Sequence, residues 1–142
     1  MRVLGIDYGL KRIGLALSDP TETIATPLDT LVRRRGKRAP FSKIESIAAE
    51  KGAEHLVIGL PLNLEGNETE WSEEVRVFGA NLSKRTNLQV SFVDERMTSV
   101  RAERAVRSIG LPKKKRENKA RIDAAAAQLI LQAWLDLRKH TK

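Results

Sequence analysis

Three carboxylates occupy positions where a charged side chain is unexpected. Asp7 extends the apolar run of residues 3–6, and Glu95, with Asp94, lies at the end of the strand-like segment 88–96. Asp123 lies near the start of an alanine- and leucine-rich segment, on the face that carries its apolar residues at helical spacing. Because buried charges without partners are costly, these three residues together predict one shared site.

The donor atoms that the chain can offer a metal are limited. It contains no cysteine, which excludes disulfides, zinc–thiolate sites and thiol nucleophiles, so any metal must be held by oxygen atoms or by the two histidines, His55 and His140. Clustered carboxylates suit Mg²⁺ or Mn²⁺, which prefer oxygen ligands. Two such ions about 4 Å apart can activate a water and stabilise the leaving oxygen of a phosphodiester. The pattern favours nuclease chemistry, with Gly5 and Gly9 expected to leave room for a phosphate.

Each carboxylate also has a structural interpretation. Asp7 could cap a turn, Glu95 could pair with the neighbouring Arg96, and Asp123 could interact with the dipole at the start of its helix. Each role is common by itself, but three coincident structural roles are less expected than one site. A Ser-His-Asp hydrolase is disfavoured, because the chain has no nucleophile-elbow sequence.

The positive charge of the chain is concentrated in two segments. The formal net charge is +8, while residues 33–38 and 113–121 together carry +10, so the remaining residues carry −2. Two basic segments on a nearly neutral body favour a polyanionic partner, and the low aromatic content favours contact with its phosphate backbone. The candidate nucleic-acid contacts are Lys11, Arg12, Arg33, Arg34, Arg35, Lys37, Arg38, Arg96, Lys113, Lys114, Lys115, Arg116, Lys119 and Arg121.

The elements that position the carboxylates follow from apolar periodicity. Residues 3–6 and 13–17 predict a β-hairpin, and Ala25 to Val32 a third strand at the sheet edge, since it contains Pro27. Two helix–strand units come next, and the chain closes with two helices. Their predicted segments are a helix from Phe41 towards Gly52, a strand at 55–62, a helix at about 67–84, a strand at 88–96, a helix from Thr98 or Ser99 to Gly110, and a helix at 120–140.

This order predicts an α/β fold with one mixed sheet flanked by helices. An antiparallel meander of three strands is followed by parallel crossovers, which gives five strands in all. The carboxyl ends of the central parallel strands then lie on one side, where ligands bind in such sheets. Asp7 and Glu95 are expected at that edge.

Four ordered motifs resemble one known family. The segments GIDYGLKRIGLALSD, VIGLPLNLEGNETEWSEEVRVFGANL, VDERMTSVRAERAV and IDAAAAQLILQAWLD are similar to the motifs of the YqgF/RuvX family of bacterial RNase H-like nucleases. The resemblance implies the RNase H fold and an acidic Mg²⁺ or Mn²⁺ site at Asp7, Glu95 and Asp123. It also implies processing of the 5′ end of pre-16S rRNA or, alternatively, resolution of Holliday junctions.

Asn63 is a further candidate contact. The GLPLN segment lies at a strand end, so Asn63 could donate a hydrogen bond to a phosphate or could belong to an ordinary Gly-Pro turn. Within the stretch 66–75 the chain departs from the expected pattern by carrying additional acidic and polar residues, and residues 116–123 form a looser basic lead-in than expected.

Two other functions remain open at the level of sequence. GIDYG also resembles the first phosphate loop of sugar-kinase- and actin-like ATPases, although these place the nucleotide between two such domains. A non-catalytic module that binds nucleic acid through the basic segments is the other. The length predicts a single domain over residues 1–142, and the absence of any long apolar run predicts a soluble, cytoplasmic protein, as a monomer or a homodimer.

Overall fold

The computed structural model describes residues 1–33, 38–98 and 119–140. The described part of the chain forms six strands, three α-helices and one short 3₁₀ turn. In chain order these elements are β1 (Arg2–Tyr8), β2 (Arg12–Ser18), β3 (Ala25–Pro27), β4 (Leu31–Val32), α1 (Phe41–Glu50), β5 (Ala53–Leu60), α2 (Glu70–Thr86), β6 (Gln89–Asp94), the 3₁₀ turn (Glu95–Met97) and α3 (Lys119–His140).

The strands form one mixed sheet in the order β3-β2-β1-β5-β6, with β4 also paired to β2. β1 is antiparallel to β2, and β5 is parallel to both β1 and β6. In register, Ile6 lies opposite Ile58 and Leu60 lies opposite Asp94. The carboxyl ends of β1, β5 and β6 therefore meet at one edge, and the predicted α/β fold with a mixed sheet and flanking helices is confirmed.

The predicted third strand is interrupted, so the sheet has six strands instead of five. β3 pairs with β2 through Pro27, and the last contact of this part is the N–H of Leu28 donating to the carbonyl of Leu15 at 2.8 Å. The chain then leaves the ladder and returns as β4, where Val32 lies opposite Arg12. Pro27 has no N–H to donate, which suits the edge position predicted for this segment.

The two faces of the sheet bury different halves of the core. On one face, Leu4, Ile6 and Tyr8 of β1 pack with the apolar residues of α1 and α2. On the other face, Val3 packs with residues of α3, including Ala127. Since side chains alternate along a strand, Gly5 and Asp7 share the α3 face with Val3.

The helix ends follow local sequence signals. α1 ends at Glu50, and Gly52 has a φ of +69°, a conformation that favours glycine. α2 begins at Glu70, three residues later than the predicted Asn67, because the Thr69 hydroxyl accepts the backbone N–H of Ser72 in a capping box. Its first turn is acidic and its last turn is basic, as the helix dipole prefers.

Parts of the prediction lie outside the described residues. These are the helix expected from Ser99 to Gly110, the basic residues Arg34, Arg35 and Lys37, and the basic run 113–116. In the described ranges, every helix is too short or too polar to cross a membrane.

Candidate functional site

Asp7 lies near the carboxyl end of β1 and is only 3% exposed. Gly14 is its antiparallel partner on β2. On the other side, the pairing of Ile6 with Ile58 brings Gly59 of β5 next to Asp7. The backbone of Asp7 is therefore held between two neighbouring strands, and this rigid placement gives its carboxylate a defined position.

Glu95 follows β6 directly and is 5% exposed, so it is also buried. Its Oε1 lies 3.1 Å from the place that a Cβ on Gly59 would take. Gly59 is in β5, between the strands that carry the two carboxylates. Glu95 therefore extends from β6 across β5, towards the strand that carries Asp7.

α3 runs along the sheet so that its N-terminal part lies towards the carboxylate edge. Trp134 stacks on His55 at the start of β5, and Ile130 contacts Gly59 near its end, so α3 runs antiparallel to β5. Asp123 lies two turns before Ile130, and its backbone is consequently on the side of the carboxylate edge. The Asp123 side chain is outside the described part of the structure, and its predicted role stays a prediction.

The donor set fits a hard divalent cation. The two buried acids offer oxygen atoms at one edge of the sheet, which matches the preference of Mg²⁺ and Mn²⁺. Among the side chains that the structure describes, no group of three histidine or acidic residues is close enough to hold a metal ion. Asp123, the third predicted ligand, is not one of those side chains.

Gly5 and Gly9 have packing roles that differ from the predicted clearance for a phosphate. A Cβ on Gly5 would lie 2.7 Å from the Cβ of Leu131, so glycine here allows α3 to approach β1. A Cβ on Gly9 would lie 2.5 Å from the carbonyl oxygen of Arg12, within the tight β1–β2 turn. The glycine that borders a buried carboxylate is Gly59, which sequence reasoning missed although a lone glycine in an apolar strand indicates a close approach.

Arg96 forms an ion pair with Asp94, whereas the sequence suggested Glu95 as its partner. Its Nε donates to Oδ2 of Asp94 at 3.0 Å, and its Nη2 donates to the same oxygen at 2.7 Å. This hydrogen bonding raises the pKa of Arg96 above its usual value. The guanidinium also lies against Gly66, where a Cβ would come within 2.7 Å of Nη2.

Arg33 connects β4 to the turn that follows Asp7. Its guanidinium lies 4.5 Å from the centroid of the Tyr8 ring, and Nη1 donates to the carbonyl of Gly9 at 3.5 Å. The backbone N–H of Arg33 donates to the carbonyl of Lys11 at 2.8 Å. The Tyr8 ring in turn stacks on Phe78 of α2, with centroids 3.9 Å apart. Arg33 therefore has a structural role that its basic sequence context did not predict.

The structure describes the exposure of only some of the other candidate contacts. Lys11, Arg38 and Arg96 are exposed and Arg12 is half-buried, whereas the side chains of Lys119 and Arg121 are outside the described part. The Oδ1 of Asn63 accepts the backbone N–H of Asn67 at 2.8 Å, which gives it the turn role that the sequence left open. Contact between Asn63 and a phosphate stays a prediction.

Comparison with known proteins identifies relatives over nearly the whole chain. Residues 1–137 match the family described as "RuvX: Holliday junction resolvase". A protein of Maridesulfovibrio salexigens is 42% identical over 135 residues, covering 95% of this chain and 98% of its own. One from an Anaeromyxobacter species is 41% identical, covering 97% and 98% of the two chains. Both relatives carry the name "Putative pre-16S rRNA nuclease".

A solved structure has the same fold. Thermus thermophilus RuvC in complex with a Holliday junction substrate has a TM-score of 0.59 at 17% sequence identity. The match covers 99% of this chain and 97% of the RuvC chain. At that identity the likeness concerns the fold, which is RNase H-like.

Proposed function

The chain belongs to the RuvX family, and on that premise we propose that it is a nuclease that requires a divalent metal and cleaves phosphodiester bonds of structured nucleic acid. We propose the 5′ end of pre-16S rRNA as its substrate, in line with the name of relatives about 40% identical to it. The observation that carries the proposal is the pair of buried carboxylates, Asp7 and Glu95, at the edge where the carboxyl ends of β1, β5 and β6 meet. A role on rRNA also makes a cytoplasmic location part of the proposal.

Asp7, Glu95 and Asp123 would hold Mg²⁺ or Mn²⁺ in this enzyme. The bound cation supplies Lewis-acid stabilisation of the charge that develops on the reacting phosphate. Asp7 contributes from a strand paired on both sides, and Glu95 from a short turn fixed to β6. These rigid supports keep the two carboxylates oriented before the substrate arrives, which lowers the cost of reorganisation during the reaction.

The basic residues would hold the substrate by its backbone. Lys11 lies in the β1–β2 turn and Arg12 is the first residue of β2, so the backbone of both is at the end of β1 that carries Asp7. Contacts to phosphates position a nucleic acid without reading its sequence. Selection of the substrate would then depend on its shape more than on base identity.

A cleavage assay with two substrates tests the proposal. The purified chain receives an rRNA precursor leader and a four-way DNA junction side by side, with Mn²⁺ or with EDTA. Wild type is expected to cleave the leader only with the metal, whereas Asp7→Asn and Glu95→Gln lose at least about 100-fold in rate. Glu54→Gln is the matched control, because Glu54 is exposed at the opposite end of β5 and should leave the rate unchanged.

The outcomes separate the candidate functions. Cleavage of the junction alone would support the second candidate, a Holliday junction resolvase, which the description of the family favours. Binding without cleavage of either substrate, or equal cleavage by Asp7→Asn, would contradict the nuclease proposal and leave a binding module.

A further inference from the structure

Two leucines are unusually exposed beside the carboxylate edge. Among the described residues, Leu64 and Leu10 are the most exposed of the large apolar side chains, at 81% and 74%. Leu10 is in the turn between β1 and β2, and Leu64 is in the connection that leaves β5 towards α2. Both connections start at the edge where Asp7 and Glu95 lie.

Leu64 is held at the tip of an ordered loop. The backbone N–H of Asn63 donates to the carbonyl of Asn67 at 3.0 Å, and the N–H of Gly66 donates to the carbonyl of Asn63 at 3.0 Å. The Asn63 side chain closes the same loop at 2.8 Å. These bonds fix the backbone around Leu64 while its side chain stays in solvent.

The 3₁₀ turn that carries Glu95 also contacts this loop, through Arg96. Gly66 has a φ of +86°, and its Cα faces the guanidinium of Arg96 so closely that a Cβ would come within 2.7 Å of it. Arg96 is held in turn by its two hydrogen bonds to Asp94. Since Asp94, Glu95 and Arg96 are consecutive, the loop tip has a defined position relative to the buried carboxylate.

The chemistry of the tip suits bases better than phosphates. Between Asn63 and Asn67 the loop carries Leu64, Glu65 and Gly66 and no cation of its own, and the charge of Glu65 is unfavourable beside a phosphate. A single exposed leucine is ordinary on a protein surface. Proteins that distort nucleic acids, however, insert leucine and similar apolar side chains between stacked bases.

We propose that Leu64, assisted by Leu10, inserts between neighbouring bases beside the phosphate to be cleaved and separates them. The inference deepens the proposed nuclease function and rests on it. Opening a base stack costs free energy, and it costs least where the stack is already interrupted. The substrate class is therefore a nucleic acid with a branch, or with a junction between duplex and single strand, rather than a continuous duplex.

The test measures base stacking directly. The fluorescent base 2-aminopurine is placed at successive positions around the branch of a branched RNA and of a branched DNA. Full-length chain carrying Asp7→Asn, which is expected to bind without cleaving, is added to saturation with Mn²⁺. Fluorescence is expected to rise severalfold at one position, because unstacking relieves the quenching of this base.

Three variants in the same background identify the residue responsible. Leu64→Ser is expected to lose most of the fluorescence rise, while Leu64→Met retains it. Leu137→Ser is the matched control, because Leu137 is an exposed leucine near the other end of α3 and should not affect the rise. Thermal unfolding of Leu64→Ser should match that of its parent, since the side chain is exposed.

Equal fluorescence with Leu64→Ser and its parent would overturn the inference, as would the lack of a rise at every probe position. If wild type cleaves, and Leu64→Ser gives the same fluorescence rise as its parent, the inference fails and the nuclease function stands. If the fluorescence depends on Leu64 and wild type does not cleave, the nuclease proposal fails and insertion of Leu64 stands.

Discussion

Gly59 shares its space with two side chains that approach it from different elements. A Cβ there would lie 2.5 Å from Cδ1 of Ile130 and 3.1 Å from Oε1 of Glu95. Ile130 is fully buried, so it has little freedom to move away. An added methyl group would therefore displace the carboxylate as well as α3.

Gly59→Ala is expected to weaken Mn²⁺ binding at least about tenfold and to destabilise the fold by about 1–3 kcal/mol through overpacking. Isothermal titration with Mn²⁺ and urea unfolding measure the two effects. Gly79→Ala is the matched control, because a Cβ there would lie 2.7 Å from Cζ of Phe92, away from the carboxylates. The control should lose stability and keep its metal affinity; equal loss of affinity in both variants would contradict a local effect on Glu95.

His55 predicts a dependence of stability on pH. Burial lowers the pKa of His55 below its usual value of 6.5, and the nearby charge of Arg138 acts in the same direction, while Glu22 opposes it. The ring also contacts the hydroxyl of Ser91 at 2.8 Å and stacks on Trp134. With the lowered pKa in the folded state, the unfolded chain binds more protons as the pH falls below about 6.5.

The free energy of unfolding should therefore decrease from pH 7.5 to pH 5.5 by more in wild type than in His55→Gln. Urea unfolding at the two pH values gives this decrease for each protein. Subtracting the decrease in His55→Gln from that in wild type removes the contribution of titratable groups that both proteins share. An identical decrease in the two proteins would show that His55 titrates alike in the folded and unfolded states.

At the scale of the elements, Arg33 makes β4 a support for the β1–β2 turn. Arg33→Lys removes the planar group that stacks on Tyr8 and keeps the charge. We expect kcat to fall several-fold with little change in KM or in the salt dependence of binding. If Arg33 acts instead as a phosphate contact alone, the lysine keeps that contact, and kcat stays near its wild-type value in steady-state assays at several salt concentrations. Lys43→Arg on α1 is a control that should change neither constant.

The sequence predicted these elements well where the signal was local. Apolar alternation identified β1 and β2, and Gly52 and the acidic turn of α2 marked helix ends. The interruption between β3 and β4 was missed, because it depends on pairing with β2 rather than on residues 25–32 themselves.

The positions of two candidate site residues were predictable to the same extent. The strand-end positions of Asp7 and Glu95 follow from their apolar flanks, and so does the edge they share. The packing of Gly5 against Leu131 and the proximity of Gly59 to Glu95 were not predictable, since each joins residues far apart in the chain. The stacking of Arg33 on Tyr8 is a tertiary contact of the same kind.

For the whole molecule, the concentration of charge predicts binding that is sensitive to salt. The logarithm of the affinity for nucleic acid should fall linearly with the logarithm of salt concentration, by about 0.7–0.9 per phosphate contacted. Replacing Lys113, Lys114 and Lys115 together with alanine should make this slope shallower. The same change at Lys43 and Lys51, which are exposed on or beside α1, is the control and should preserve it. Equal slopes in wild type and the triple variant would remove residues 113–115 from the binding surface.

The position of α3 in the chain has a consequence for the order of events during synthesis. All six strands precede it, yet Val3, Ala16 and Val57 bury their side chains against it. A nascent chain that has emerged only as far as β6 therefore exposes one whole face of its sheet and lacks Asp123. The proposed nuclease would therefore remain inactive until α3 has left the ribosome and packed on this face of the sheet.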